Sequence, residues 1–134
     1  MQQSSNLNNQ KEIYIPFKQK YNKQQRIEKL LQKKKEFPNL AFIVVERLKE
    51  SIELPILQRS VFAVSRRINL QEFQFDLKRK LGLLNKEQAM FLFLGSDSKS
   101  LPNYNKTMGE IYDQYKDSED QWLYITYSDQ NIFG

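Results

Sequence analysis

The chain has 134 residues, 40% of them hydrophobic and 28% charged, which suits one compact domain with a core of its own. It contains no cysteine and no histidine, which excludes disulfides, thiolate nucleophiles, imidazole bases and Cys- or His-ligated metals. The formal charge of +5 is uneven: residues 1–50 hold 11 Lys/Arg against 5 Asp/Glu, whereas residues 110–134 hold one Lys and six acids. A basic head and an acidic tail point to an acidic partner docking near the N-terminal region.

Residues 1–12 are polar, rich in Gln, Asn and Ser, and too poor in apolar side chains to order themselves, so disorder is expected there. They lack the apolar segment of a signal peptide, and no run in the chain approaches the ~18–20 apolar residues that cross a bilayer. Synthesis in the cytosol is the expectation. Residues from about 17 to 36 read as helix behind Pro16, with Ile27, Leu30 and Leu31 forming a narrow apolar stripe on a charged cylinder. Pro38 and Asn39 close that unit, and the run Ala41-Phe-Ile-Val-Val45 reads as a strand.

A connection holding Pro55 leads to a second strand at Val61–Ser65, and the two form a hairpin. Asn69-Leu-Gln-Glu72 is a capping box opening a helix with Leu70, Phe73, Leu77 and Leu81 on one face; Gly82 follows at the position where φ can be positive. Met90–Leu94 reads as a strand, and Thr107-Met-Gly-Glu110 caps a short helix bearing Met108, Ile111, Tyr112 and Tyr115. Trp122–Tyr127 is a last strand, followed by a flexible tail at 128–134. The acids Asp117, Glu119 and Asp120 read as a solvated turn. The order β-β-α-β-α-β predicts an α+β ubiquitin-like β-grasp domain over residues 13–127, with two additional N-terminal helices covering the sheet face that the central helix leaves bare.

The stretch Trp122-Leu-Tyr-Ile-Thr-Tyr-Ser128, followed by Asn131-Ile-Phe-Gly134, resembles the tail of the GABARAP-type family, the ubiquitin-like modifiers of autophagy. Pro16-Phe17, Arg26-Ile27 and Ala89-Met-Phe-Leu-Phe93 add to the resemblance, which covers roughly residues 14–134. It implies a protein that is not an enzyme, needs no cofactor and no metal, and is conjugated through Gly134 to phosphatidylethanolamine, with Phe133 recognised by the enzymes that handle the tail. The implied partners are an ATP-using activating enzyme, a conjugating enzyme, a processing cysteine protease, and cargo receptors and adaptors carrying W/F/Y-x-x-L/I/V motifs. The implied locations are the cytoplasm and, once lipidated, autophagosomal and vacuolar or lysosomal membranes. A monomer is expected before conjugation.

The same resemblance implies two pockets along the edge of strand 61–65. The first uses Lys23, Ile27, Phe42, Val44, Ala63 and Trp122; the second uses Phe62, Val64 and Ile68, with Lys80 placed for acidic residues flanking the motif. The strand itself departs from the family's Lys-Tyr-Leu-Val-Pro-like pattern: here it is Val61-Phe-Ala-Val-Ser65. On periodicity alone Phe42, Val44, Ile27 and Val64 read equally well as core, and Phe62 and Trp122 as partly exposed. Two other classes compete. A nucleic-acid module could use Lys33-Lys-Lys35, but the tyrosines cluster in the acidic part, away from the basic head, so no nucleic acid is expected. A ubiquitin-like scaffold that is never conjugated would share the fold and not the chemistry of Gly134.

Overall fold

The computed structural model describes residues 14–97 and 102–131. The expected disorder of residues 1–12, and Phe133 and Gly134 of the tail, lie outside the described residues. The elements run α1 Phe17–Lys20, α2 Lys23–Glu36, β1 Leu40–Arg47, β2 Val61–Ser65, α3 Leu70–Lys80, β3 Phe91–Leu94, α4 Met108–Tyr115 and β4 Leu123–Ser128.

The sheet has the order β2-β1-β4-β3. β1 and β2 form the expected antiparallel hairpin, β1 and β4 pair in parallel at the centre, and β3 lies antiparallel to β4. Residues 41–45 of β1 are all buried, so both faces of the sheet are covered. On one face Phe62, opposite Ile43, meets Phe73 of α3 edge-on at 5.9 Å. Successive side chains alternate across a strand, so Phe42 points the other way, towards Trp122 at 6.4 Å and Tyr112 at 6.3 Å. Trp122 in turn meets Phe17 of α1 at 5.3 Å, so the N-terminal helices cover the second face as expected.

The helix boundaries follow local chemistry. The capping boxes at Asn69/Glu72 and Thr107/Glu110 form as the sequence predicts. Gly82, at φ +73°, lets the Leu83 N–H return to the Lys78 carbonyl at 2.8 Å and closes α3. The two N-terminal helices expected within 17–36 form, and they divide at Tyr21 and Asn22, a boundary the sequence reading did not place. Tyr21 and Asn22 are extended, and Asn22 opens α2 with a third capping box, its side chain accepting from Gln25 N while Gln25 bonds the Asn22 N–H. The predicted stripe also differs: Leu30 is buried, Ile27 is half-buried and Leu31 is 58% exposed. The place Leu31 was expected to fill belongs to Arg26, which is buried with Leu30 one turn along. Leu81, expected on the same face as Leu70, Phe73 and Leu77, is half-buried.

Arg26 is buried because its partner is. Its Nε donates to Asp120 Oδ2 at 2.7 Å, and its Nη1 donates to the Tyr21 carbonyl at 2.8 Å. Asp120, only 1% exposed, also accepts from the Tyr124 hydroxyl at 2.6 Å and from Trp122 N at 3.0 Å. The turn expected to be solvated is therefore tied into the core. Breaking a buried pair by removing one partner costs about 3–5 kcal/mol, whereas an exposed pair is worth up to about 1 kcal/mol. Urea denaturation should accordingly show Arg26→Ala losing about 3 kcal/mol or more, and Arg79→Ala, which breaks the exposed Arg79–Asp76 pair, losing less than about 1 kcal/mol.

Asp117, in the same turn, has a different role. Burial pushes its carboxyl up, but hydrogen bonds from Ser96 Oγ, Glu119 N, Lys18 Nζ and Asp120 N outweigh that and hold it at about 2. A carboxyl depressed in the folded state stabilises above its unfolded value and loses that contribution as pH falls through its folded value. The stability difference between the parent and Asp117→Asn should be full above about pH 4 and gone below about pH 2 in an acid titration followed by circular dichroism.

Candidate docking grooves and the tail exit

β2 stands at one edge of the sheet, with an open groove on each side of it. The first groove, about 670 Å³, lies between α1, α2 and the approach to β2. Phe17, Tyr21, Val61 and Trp122 supply its apolar and aromatic lining, and Lys20, Lys29, Lys33 and Arg59 stand at its basic side. Lys29 Nζ sits 4.3 Å from the Tyr21 ring centroid and Lys20 Nζ 5.5 Å from it, so the cations lean on an aromatic body. The second groove, about 700 Å³, runs from Pro55 to Arg59 and past Val61, Phe62 and Ala63 to Lys80 and Leu81. Lys80 Nζ lies 6.0 Å from the Phe62 ring centroid.

The structure distributes the expected pocket residues unevenly. For the first pocket, Trp122 lines the first groove, yet it is only 1% exposed rather than partly open, because its Nε1–H donates to the Arg26 carbonyl at 2.9 Å. Phe42 and Val44 are 1% and 0% exposed and belong to the core between the sheet and its helices; neither lines a groove. Lys23 is exposed on the first turn of α2, Ile27 is half-buried outside the lining, and Ala63 lines the second groove instead. For the second pocket, Phe62 and Lys80 come together in the groove, while Val64 and Ile68 are half-buried outside its lining. Sequence reasoning missed Lys29 and Lys33, although their i, i+4 spacing places them on one face of α2, and it missed the run Gln58–Val61, which lines the grooves without any periodic signal.

A strained turn leads directly into Trp122, which lines the first groove. Gln121 adopts φ +64°, a left-handed conformation that costs a non-glycine residue about 1 kcal/mol or more. Tyr112 OH donates to its carbonyl at 2.6 Å and its N–H donates to the Asp117 carbonyl at 2.8 Å, which holds it there. Burial, then Asp113, pushes the Tyr112 hydroxyl up to about 12. Burial, then the bond to Asp120, pushes Tyr124 well above the usual phenol range, so both hydroxyls stay protonated donors. Burial pulls Arg26 down, but the bond to Asp120 more than offsets it and the guanidinium is held charged.

Among the described residues no group of acids could hold a metal ion, and no helix is long and apolar enough to cross a membrane.

The family profile described as "Autophagy protein Atg8 ubiquitin like" matches residues 7–134. This chain belongs to the Atg8 family. It is 34% identical over 119 residues to human microtubule-associated protein 1 light chain 3 gamma, covering 89% of this chain and 78% of that one. It is 29% identical over 119 residues to autophagy-related protein 8D of rice, covering 89% and 97%, and 30% identical over 92 residues to autophagy-related protein 8 of Dictyostelium discoideum, covering 69% and 71%. The fold is thus the ubiquitin-like α+β fold of the Atg8 family, and the chain is a ubiquitin-like autophagy protein.

Trp122 is the only tryptophan in the chain, so its fluorescence reports on the first groove. A ligand seated between Tyr21 and Val61 should shift its emission, and one held only by Phe62 and Lys80 should not. Trp122→Phe removes the indole donor to the Arg26 carbonyl, which keeps its own helical partner, and the loss of that bond should cost about 0.5–1.5 kcal/mol in urea denaturation.

Proposed function

We propose that this Atg8-family chain is a modifier conjugated through Gly134 to phosphatidylethanolamine on autophagosomal membranes, and that its grooves dock short W/F/Y-x-x-L/I/V motifs of cargo receptors and adaptors. The observation that supports docking most is the placement of the grooves on either side of an edge strand, sharing Gln58, Arg59 and Val61 between them. An extended peptide added to β2 finds backbone partners along the edge, and side chains three residues apart, about 10 Å, reach separate grooves. The aromatic residue goes to the first groove and the aliphatic one to the second. Lys20, Lys29, Lys33, Arg59 and Lys80 favour acidic residues around the motif.

Conjugation draws on Phe133-Gly134 at the end of the chain. A glycine without Cβ leaves its carbonyl open to attack: ATP converts the carboxylate to an acyl adenylate with release of pyrophosphate, a cysteine thiolate displaces AMP to give a thioester, and the lipid amine then displaces the thiol to form an amide. An activating enzyme, a conjugating enzyme and a cysteine protease that later releases the lipid are the partners this chemistry needs; the domain itself supplies no catalytic group. Two acyl chains hold a protein at a membrane far more stably than one. The lipid therefore supplies the autophagosomal and vacuolar or lysosomal membrane residence that a cytoplasmic domain lacks.

Mass spectrometry of the C-terminal peptide from the membrane fraction of starved cells should find a phosphatidylethanolamine-sized adduct on Gly134, and Gly134→Ala should abolish it. A free carboxylate in every fraction would reject conjugation and leave a ubiquitin-like scaffold that docks peptides.

A further inference from the structure

The connection between β1 and β2 meets the end of β4 at one polar contact that neither groove uses. The parallel pairing of β1 and β4 ends with Leu48 N donating to the Tyr127 carbonyl at 2.7 Å. A turn then follows, with Ser51 N donating to the Leu48 carbonyl at 2.9 Å, and it buries Ser51 to 1% exposure. There the Ser51 hydroxyl donates to Asp129 Oδ1 at 2.8 Å and accepts from Asp129 N at 3.0 Å. One hydroxyl thus satisfies both the side chain and the backbone of the first residue after β4. Ser128 is buried as well, and its Oγ accepts from Gln130 N at 3.0 Å, bending the chain at this point.

We infer that Ser51 and Asp129 form a positioning pair for the reactive tail, fixing the point and direction from which it leaves the domain. This rests on the conjugation reading. Asp129 stands five residues before Gly134, so the glycine reaches at most about 17 Å from the anchor. A buried hydroxyl is costly to leave without partners, which favours Asp129 staying in place while the following residues thread an enzyme's cleft. With the pair broken, the departure point recedes along β4, and a further residue must be ordered each time the tail is engaged. Ordering one residue weakens engagement by about fivefold or more, and the loss falls on binding rather than on the bond-making step.

The test is thioester formation on the conjugating enzyme, with activating enzyme, ATP and the full chain as substrate. Ser51→Ala and Asp129→Ala should raise KM about fivefold or more with kcat within twofold of the parent. Asp129→Asn keeps an oxygen for the Ser51 hydroxyl and should restore KM to near the parental value. The Trp122 fluorescence response to a motif peptide should stay parental in all three, since the pair lies outside both grooves. A KM within twofold of the parent in both alanine variants overturns the proposal, as does an asparagine variant no better than alanine. Backbone ¹⁵N relaxation needs no enzyme: the order parameter at Asp129 should fall from about 0.85 to below about 0.6 in Ser51→Ala, and an unchanged value overturns the anchor itself. A parental chain that forms no thioester rejects the conjugation reading, and an Asp129 order parameter that still falls distinguishes that failure from failure of the anchor.

Discussion

The ion pair between Arg26 and Asp120 joins residues 94 positions apart and decides how the N-terminal helices sit on the sheet. The helical addition has little apolar surface to hold it: only Phe17 of α1 and Leu30 of α2 are buried apolar residues in those two helices. Hydrophobic area alone would leave such an element free to slide or rotate. The guanidinium removes that freedom because it is satisfied in one arrangement, with Asp120 at Nε and the Tyr21 carbonyl at Nη1. Trp122 closes the loop by donating to the Arg26 carbonyl while its own N–H bonds Asp120. A buried pair of this kind adds little net stability over apolar residues of the same size. Its contribution here is register: it fixes where α1 and α2 meet β4, and so fixes the walls of the first groove.

The charge asymmetry of the sequence takes on a different meaning in that light. The basic head and acidic tail are partners within the molecule: Lys18 pairs with Asp117 at 3.0 Å and Arg26 with Asp120 at 2.7 Å. What remains for an external partner is narrower than the count of charges suggests. Lys20, Lys29 and Lys33 pair with no acid among the described residues, and all three stand at the first groove. The positive potential of the head is therefore concentrated beside an aromatic floor. A simple basic patch would have neither the depth nor Trp122 beneath it.

The elements were legible where the cause of each is local. Capping boxes at Asn69 and Thr107, the β-branched run of β1 and Gly82 after α3 are decided within a few residues, and all appear where the sequence places them. The break at Tyr21–Asn22 was equally local, since Asn22 and Gln25 have capping-box spacing, but a charged stretch with helical periodicity masks it. The burial of Arg26 and Asp120 was not legible in the same sense. A charged residue is buried only when a partner arrives to neutralise it, and here the partner comes from the far end of the chain. Trp122 and Leu31 went the same way: the ring was drawn under by the Arg26 carbonyl, and the leucine was left outside by the turn of α2 that buries Arg26. For the site, the sequence located the edge strand and Phe62 and Lys80 beside it. It did not locate the wall from Gln58 to Ser60, because a connection without periodicity has no face to read.

That connection explains how one edge strand comes to have two grooves. Between β1 and β2 the chain runs without a helix or strand, a length that in a compact domain usually either serves a function or fails to hold its shape. It is held here from several directions. Arg47 Nη1 donates to the Leu54 carbonyl at 2.7 Å, and the Tyr127 hydroxyl donates to the Pro55 carbonyl at 2.7 Å while accepting from Leu57 N at 3.1 Å. Leu54 and Leu57 are buried beneath it. Two of the anchors, Arg47 and Tyr127, are neighbours in the parallel register of β1 and β4, so the loop is hung from the two central strands rather than from β2. A hairpin loop braced only by β2 would move whenever a peptide loaded that strand. Braced by β4, it holds still, and a peptide added to β2 meets walls already in place, which lowers the ordering cost of binding.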